Sequence, residues 1–303
     1  MSSFSEWVAQ GPWPIDGGLS GELEKLGNDL SDDLWSARLL KDDPAAIAAV
    51  HQAYVDAGAR VIITSSYQAS RFGFANAGLT HDQADDLMRA SITIAKDVVA
   101  TASAKVWVAA SVGPFGAVLG NGEEYRGNYG KTHQELVDFH RERLMVLASA
   151  QPDLFACETI PDLVEVNALL EVLADFPGIP AWITMSCKDS EHTCAGQPIA
   201  EFAQAVAGND QIVAIGMNCT MPEYIAPLFT ELRKHSDKPF VVYPNAGRVW
   251  DGPNHCWIGE GLDTIPVAAV NEWVALGAKL IGGCCGLGPN AITSMDRDLA
   301  TMR

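Results

Sequence analysis

The sequence predicts an α/β protein folded as a (β/α)8 barrel of the TIM type, with residues 1–303 forming one domain. A short apolar run followed by a segment with apolar residues at helical spacing recurs eight times over the 303 residues. The chain is 48% hydrophobic, enough for a sizeable core, and no linker or low-complexity tract divides it. The alternative is a doubly wound open sheet, which normally uses fewer strands.

The predicted strands are short apolar runs bounded by polar residues or glycine. They cover residues 13–16, 60–64, 105–110, 154–157, 181–185, 212–217, 240–243 and 279–281. The segments between them predict helices because apolar residues recur every three or four positions, as in Ile47, Val50 and Tyr54. Pro44 near one helix start and Gly58 just past its end support these boundaries.

The composition limits the partners and the compartment of the protein. A formal net charge of −18 argues against nucleic acid or an anionic membrane as a main partner and is compatible with a cationic substrate. No run approaches the ~20 apolar residues of a membrane span, and the N-terminus lacks a signal-peptide pattern. We therefore expect a cytoplasmic protein whose seven cysteines do not form a disulfide framework. The sequence leaves the oligomeric state open.

In a barrel of this type the chemistry lies at the carboxyl ends of the strands. The residues that follow the predicted strands are rich in polar side chains, glycine and cysteine, whereas the strands are almost purely apolar. In chain order these positions read Asp16-Gly17-Gly18, Thr64-Ser65-Ser66-Tyr67, Ser111-Val112-Gly113-Pro114, Glu158-Thr159, Ser186-Cys187, Asn218-Cys219-Thr220, Pro244-Asn245-Ala246-Gly247 and Gly282-Gly283-Cys284-Cys285-Gly286.

Three cysteines fall on this rim, Cys219 after the sixth strand and the pair Cys284 and Cys285 after the eighth. Strands are spaced ~4.8 Å apart, so these sulfur atoms can converge on one metal ion with bonds of about 2.3 Å. The glycines beside the pair permit the backbone turn that aims both side chains inward. Three thiolates leave the fourth position of zinc open for a substrate thiol, as in a catalytic site. The alternatives are buried core cysteines and a disulfide between the adjacent pair.

Two other groups compete for a chemical role. Cys187, His192 and Cys194 follow the fifth strand and have side chains that suit zinc, but no fourth ligand lies close in sequence. His255 and Cys256, after the seventh strand, form a similar pair. A barrel enzyme without metal, such as an aldolase, needs a lysine on the rim, and Lys188 is the nearest candidate.

The cysteine motifs resemble the zinc signature of the homocysteine S-methyltransferase family. They are Ile215-Gly216-Met217-Asn218-Cys219 and Ile281-Gly282-Gly283-Cys284-Cys285-Gly286. Similar matches extend over nearly the whole chain and are closest to the bacterial and plant branch that methylates homocysteine with S-methylmethionine. These further matches are Ile15-Asp16-Gly17-Gly18, Asp33-Leu34-Trp35-Ser36-Ala37, Thr64-Ser65-Ser66-Tyr67, Ser111-Val112-Gly113-Pro114, Glu124-Tyr125-Arg126-Gly127, Cys157-Glu158-Thr159 and Val242-Tyr243-Pro244-Asn245.

The resemblance implies a reaction and assigns residues to it. A homocysteine thiolate on Zn²⁺ attacks the methyl group of a sulfonium donor, and the product is methionine. Cys219, Cys284 and Cys285 are then the zinc ligands. Asp16 and Glu158 are the catalytic carboxylates, which also bind the amino group of homocysteine. The remaining expected substrate-binding residues are Gly17 and Gly18, whose backbone approaches the carboxylate of homocysteine, together with Trp35, Ser65 and Asn245.

The methyl donor that this hypothesis expects is a sulfonium cation. A sulfonium cation suits aromatic faces, and the aromatic residues in or near the rim loops are Trp35, Tyr67, Phe72, Phe74, Phe115 and Tyr125. S-adenosylmethionine stays open as a second sulfonium donor. Betaine is a further alternative, but the betaine-using relatives carry a longer C-terminal extension than this chain has after Gly286. The non-enzymatic alternative is a protein that only stores zinc or binds thiols. A zinc storage site, however, is more often closed by a fourth protein ligand.

Overall fold

A parallel eight-stranded sheet forms the centre of the computed structural model, which describes residues 3–30, 34–251 and 256–303. The strands of the chain are β1 (Trp13–Pro14), β2 (Val61–Ile63), β3 (Trp107–Val112), β4 (Leu154–Ile160), β5 (Ala181–Met185), β6 (Ile212–Asn218), β7 (Phe240–Tyr243), β8 (Val249–Asp251), β9 (Cys256–Ile258) and β10 (Ala278–Ile281). The sheet order is β1-β10-β7-β6-β5-β4-β3-β2, and β8 and β9 form a separate antiparallel hairpin.

The helices lie between the strands and begin where the sequence supplies a cap. They are α1 (Phe4–Ala9), α2 (Leu19–Lys25), α3 (Leu39–Asp42), α4 (Pro44–Asp56), α5 (Arg71–Asn76), α6 (His81–Val99), α7 (His133–Ser149), α8 (Leu163–Leu173), α9 (Ile199–Ala205), α10 (Pro222–Arg233), α11 (Val267–Leu276) and α12 (Pro289–Ala300). Thr80 and Thr132 form capping boxes at the starts of α6 and α7. Gly277 ends α11 with a φ of 112°, a conformation that favours glycine.

Hydrogen bonds between the two edge strands close the sheet into a barrel. The Arg60 amide donates to the Pro14 carbonyl (2.8 Å), and the Asp16 amide donates to the Val61 carbonyl (3.1 Å). One more link comes from a side chain, because Asp16 Oδ2 accepts the Ile63 amide at 2.7 Å. The predicted (β/α)8 barrel is therefore confirmed, whereas the assignment of residues 1–303 to one domain stays a prediction.

All the predicted strands are present, with shifted ends. Strands β3, β4 and β6 continue past their predicted ends, so that Glu158 and Thr159 lie within β4 rather than after it. The ladder between β4 and β5 shifts register between Cys157 and Ile160, and Thr159 has a φ of 59°. The register shift lets the polar residues Glu158 and Thr159 lie within the strand. The β8–β9 hairpin was not predicted, since its residues show no clear alternation.

Apolar side chains fill the interior of the barrel. They include Ile15, Ala109, Trp182 and Leu280, each with no exposed surface. Helix α1 packs its buried Phe4 and Val8 into the same cluster, which therefore includes the segment before β1. The packed interior leaves the strand ends as the place for a ligand site. None of the helices in the described part of the chain has both the length and the apolar character needed to cross a membrane.

Candidate active site

A cavity of about 100 Å³ lies at the carboxyl ends of the strands, where the rim positions predicted it. Its walls come from the ends of most strands of the barrel and from the loops that follow them. The lining includes Asp16, Gly17, Gly18, Ser36, Ser65, Tyr67, Ser111, Glu124, Tyr125, Glu158, Thr159, Asn218, Cys219, Tyr243, Cys284 and Cys285. No lysine is among these described residues, so a mechanism through Lys188 has no support here.

The three rim cysteines form one cluster. Their sulfur atoms all lie within 4.8 Å of one another, and those of Cys284 and Cys285 are 3.9 Å apart. Three ligands on a tetrahedral zinc with bonds of about 2.3 Å stand about 3.8 Å from each other. Cys219 is buried and its neighbours are half-buried, as suits a site that a small substrate enters. The donor set therefore fits zinc, both in its chemistry and in the spacing of the adjacent pair.

Two of these cysteines are joined in this structure. The sulfur atoms of Cys219 and Cys284 form a disulfide, with a Cα–Cα distance of 5.7 Å, and Cys285 is free. The adjacent-pair disulfide that the sequence left open is thus absent. A disulfide and a thiolate–metal cluster are alternative uses of the same sulfur atoms, because a metal binds only reduced, deprotonated thiols. The fold brings all three sulfur atoms within 4.8 Å of one another.

Close backbone packing positions the cysteine turn against the end of β1. The Gly283 amide donates to the Asp16 carbonyl (3.0 Å), and the Cys284 amide donates to the Pro244 carbonyl (2.8 Å). A Cβ atom on Gly18 would stand 2.6 Å from the Cys284 carbonyl oxygen, so only glycine fits there. The Gly18 amide donates to the Leu287 carbonyl at 3.0 Å. That amide hydrogen is therefore already used, and approach of the Gly18 backbone to a substrate carboxylate stays a prediction.

Asp16 and Glu158 are buried in the same cavity. Glu158 Oε1 accepts a hydrogen bond from the Ser111 hydroxyl. Burial raises the pKa of Glu158 to about 7, although hydrogen bonds from Ser111 and Tyr243 act in the opposite direction. Burial, followed by the charge of Glu158, raises the pKa of Asp16 well above its usual range. Two carboxyl groups held in this way gain most from a cation that arrives between them.

Asn218 fixes the backbone beside both Glu158 and Cys219. Its Oδ1 accepts the Thr159 amide (2.6 Å) and the Thr184 hydroxyl (2.7 Å), and its Nδ2 donates to Thr159 Oγ1 (2.7 Å). Thr159 and Cys219 both adopt left-handed backbone conformations, with φ of 59° and 46°. Such conformations are costly for residues other than glycine and occur often at functional sites. The Asn218 network holds these strained residues in place.

The remaining predicted substrate residues have different positions. Ser65 lines the cavity, and its buried hydroxyl has no hydrogen-bond partner among the described residues. Trp35 begins a short 3-10 turn, Trp35–Arg38, but its side chain lies outside what the structure describes. Asn245 does not line the cavity; its Oδ1 instead accepts the Gly247 amide at 2.9 Å and shapes the turn after β7. Substrate contact by Trp35, Asn245 or the Gly17 backbone stays a prediction.

Several cavity residues were not predicted as site residues, although the rim positions and matched motifs contained them. Ser111 and Tyr243 contact Glu158, and Glu124 and Tyr125 enter from the loop between β3 and α7. Of the aromatic residues expected near a donor, Tyr67 and Tyr125 line the cavity. By contrast Phe72, Phe74 and Phe115 do not line it, and the ring of Phe115 packs on Phe72, Tyr129 and Phe139.

The competing cysteine and histidine groups do not form a ligand cluster in the described part of the chain. The only group of three or more such side chains brought together there is Cys219, Cys284 and Cys285. The His192 ring bonds the Asp189 carboxylate at 3.1 Å instead. His255 and the side chain of Cys256 lie outside the described residues.

Comparison with known proteins agrees with this geometry. The family model for homocysteine S-methyltransferase matches residues 15–299. Homocysteine S-methyltransferase YbgG of Bacillus subtilis (strain 168) is 41% identical over 291 residues, which cover 92% of this chain and 91% of the relative. Homocysteine S-methyltransferase 3 of Zea mays is 42% identical, with 97% of this chain and 92% of the relative covered.

Comparison with solved structures also finds homocysteine methyltransferases. Crystal structures of the homocysteine methyltransferase MmuM from Escherichia coli, one metallated and one oxidized, match with a TM-score of 0.86. The identity is 36%, over 97% of this chain and 98% of that chain. The resemblance that the motifs indicated is therefore confirmed, and the chain belongs to the homocysteine S-methyltransferase family.

Proposed function

We propose that this enzyme transfers a methyl group from a sulfonium donor, S-methylmethionine, to the thiol of L-homocysteine, with zinc held by Cys219, Cys284 and Cys285. The observation that carries the proposal is the three-cysteine cluster beside two buried carboxyl groups in one cavity. The relatives named above are homocysteine S-methyltransferases, which supports homocysteine as the acceptor. S-adenosylmethionine is the second donor to test.

In this proposal the role of zinc is to activate the substrate thiol. Zinc bound by the three thiolates would stabilise the thiolate form of a fourth sulfur ligand, the thiol of homocysteine. The related Escherichia coli protein has a metallated form, which supports a metal-binding role for this chain as well. The residues of this chain bring the three sulfur atoms together through backbone bonds from Cys219 to Tyr243 and from Cys284 to Pro244.

Asp16 and Glu158 are proposed to bind the ammonium group of homocysteine. Both are buried, and a cation between them would favour their ionised forms. Asp16 keeps one oxygen bonded to the Ile63 amide, and Glu158 keeps one bonded to Ser111, so each carboxylate is fixed in orientation. The Ser65 hydroxyl, which has no hydrogen-bond partner in the described part of the chain, is a further acceptor or donor for the bound amino acid.

The proposed transfer balances without a proton relay. The homocysteine sulfur uses one electron pair to form a new bond to the methyl carbon. The donor's sulfur–methyl bond breaks, and its electron pair returns to that sulfur, so the sulfonium becomes a neutral thioether. The thiol proton is released to solvent when the thiolate forms. With S-methylmethionine as donor, both products are methionine. The chain contributes by aligning the two sulfur centres and by excluding water from the buried cavity.

The test is an assay of methionine formation from homocysteine with S-methylmethionine, S-adenosylmethionine and betaine in parallel. We expect S-methylmethionine to give the highest rate, and we expect Cys219→Ala and Cys284→Ala to lose both zinc and activity. Cys187→Ala is the matched control, since Cys187 is a buried cysteine on the same rim but outside the cluster, and it should keep both. Full activity in a zinc-free preparation would overturn the metal's role.

A further inference from the structure

A third carboxyl group in the cavity has no part in the reaction as proposed. Glu124 lies in the 3-10 turn Glu123–Tyr125 and lines the cavity. Its Oε2 atom is buried and has no hydrogen-bond partner among the described residues. Leaving a buried carboxylate oxygen without a partner is costly, so such an atom points to a ligand that is bound there in the working protein.

Glu124 differs from the other two carboxyl groups in the side chains around it. Its charge acts on both Tyr67 and Tyr125, whereas the charge of Glu158 acts on Asp16 and, less strongly than Glu124, on Tyr67. Burial first, and the charge of Glu124 next, raise the pKa of Tyr67 well above its ordinary range. Burial, and then the charges of Cys285 and Glu124, do the same for the pKa of Tyr125. Tyr125 therefore stands near both the cysteine cluster and Glu124.

The loop that carries Glu124 is anchored at several points. The Ser186 hydroxyl donates to the Glu124 carbonyl at 3.2 Å. Further along, the Asn128 amide donates to Asp162 Oδ2 (3.1 Å), and Asn128 Nδ2 donates to the Ala195 carbonyl (3.3 Å). The loop is therefore fastened to the residues that follow β4 and β5. These anchors hold the backbone of Glu124 beside the cavity, which its side chain lines.

The surroundings of Glu124 suit a cation that has no hydrogen to donate. An ammonium group needs several acceptors, and these are available around Asp16, Glu158 and Ser65. A sulfonium group needs only negative charge and aromatic surface. We propose that Glu124, flanked by Tyr67 and Tyr125, faces the sulfonium group of the methyl donor and selects for a cationic donor. This inference rests on the proposed function, because it assumes that a sulfonium methyl donor reacts beside the cysteine cluster.

The chemistry predicts a specific kinetic signature for Glu124. The positive charge of the sulfonium disappears as the methyl group leaves, so attraction to Glu124 is strongest before the reaction and fades in the transition state. Glu124 should therefore strengthen donor binding without accelerating the methyl transfer. A residue with only a structural role would not separate the two effects in this way.

The experiment measures donor KM and kcat for Glu124→Gln at saturating homocysteine, in the zinc-loaded enzyme with S-methylmethionine. We expect donor KM to rise about 10- to 100-fold, as for loss of a charged partner, with kcat unchanged or higher and homocysteine KM unchanged. Glu123→Gln is the matched control, since Glu123 is in the same turn but pairs with Arg126, and its donor KM should stay near wild type.

The outcomes separate the two proposals. If the wild-type enzyme uses no sulfonium donor, the proposed function itself fails. If it does, a donor KM within twofold of wild type in Glu124→Gln overturns the role of Glu124. So does a loss of kcat as large as the rise in KM. Should the Gln variant not fold, Glu124→Asp tests the same point, because it keeps the charge at a shorter reach and should show a smaller rise in donor KM.

Discussion

Glu158 shows how a single buried side chain can be set for binding a cation. Its carboxyl group has hydrogen bonds from Ser111 and Tyr243, both of which favour the ionised form. Burial outweighs them, and its pKa is about 7 instead of 4.5. The protonated form is therefore favoured below pH 7 in the free protein. An ammonium group that binds beside Glu158 stabilises the ionised form, so binding and ionisation are linked.

This linkage predicts a pH dependence for amino-acid binding. Norvaline matches homocysteine in side-chain length but has no thiol, and its ammonium group stays charged from pH 6 to 8. Because only ionised Glu158 attracts that group, affinity for the zinc-free, reduced protein should rise about tenfold from pH 6 to pH 8. Isothermal titration calorimetry at several pH values measures this affinity. The pKa of Asp16 is also raised, so its ionisation acts in the same direction.

Glu158→Gln is the variant that isolates this effect. It keeps the shape of the side chain and removes its charge. Binding should therefore be weaker, and the affinity should no longer rise between pH 6 and pH 8. An affinity independent of pH in the wild-type protein would contradict the role given to Glu158. The same rise in the Gln variant would assign the step to another group, such as Asp16.

At the scale of elements, helix α7 supports the loops that form one wall of the cavity. Arg143 is buried, and its guanidinium donates to the Gly113 carbonyl (2.8 Å), the Ser66 carbonyl (2.6 Å) and the Tyr67 carbonyl (2.5 Å). These carbonyls belong to the segments after β2 and β3. One planar side chain thus joins two loops, including the one that carries Tyr67 into the cavity.

Arg143→Lys tests this support. Lysine keeps the positive charge but has one nitrogen in place of the guanidinium fork, so it leaves buried carbonyls without a donor. We expect the free energy of unfolding to fall by about 3 kcal/mol, as measured by urea denaturation. The control is Arg141→Lys on the same helix, whose exposed pair with Asp175 should contribute less than about 1 kcal/mol. Equal stability of the two variants would contradict the account.

Sequence pattern predicted the elements better than it predicted the loops. Strand positions follow from apolar runs, and the barrel rule then placed Asp16, Glu158, Cys219 and the adjacent cysteine pair on one rim. Loop conformation depends on contacts that are distant in sequence, which local pattern does not contain. The Asn245 carboxamide bonds Gly247 instead of lining the cavity, and the Glu124 loop depends on anchors at Asp162 and Ala195.

At the scale of the whole molecule, the cysteine site exists only when segments distant in sequence pair in one sheet. Cys219 and Cys284 are 65 residues apart, on the loops after β6 and β10, with β7 between those strands in the sheet. Closure of the barrel between β1 and β2 involves Asp16, because its carboxylate links the β1 end to the Ile63 amide. The proposed zinc ligands and one proposed substrate carboxylate thus depend on the same long-range assembly.

Zinc X-ray absorption with and without homocysteine tests the central claim most directly. In the reduced, zinc-loaded protein we predict one zinc per chain with three sulfur ligands at about 2.3 Å and one lighter ligand. Adding homocysteine should replace the lighter ligand with a fourth sulfur, and Cys285→Ala should remove one sulfur from both spectra. A coordination shell that does not change when homocysteine is added, or zinc bound without sulfur ligands, would contradict the account.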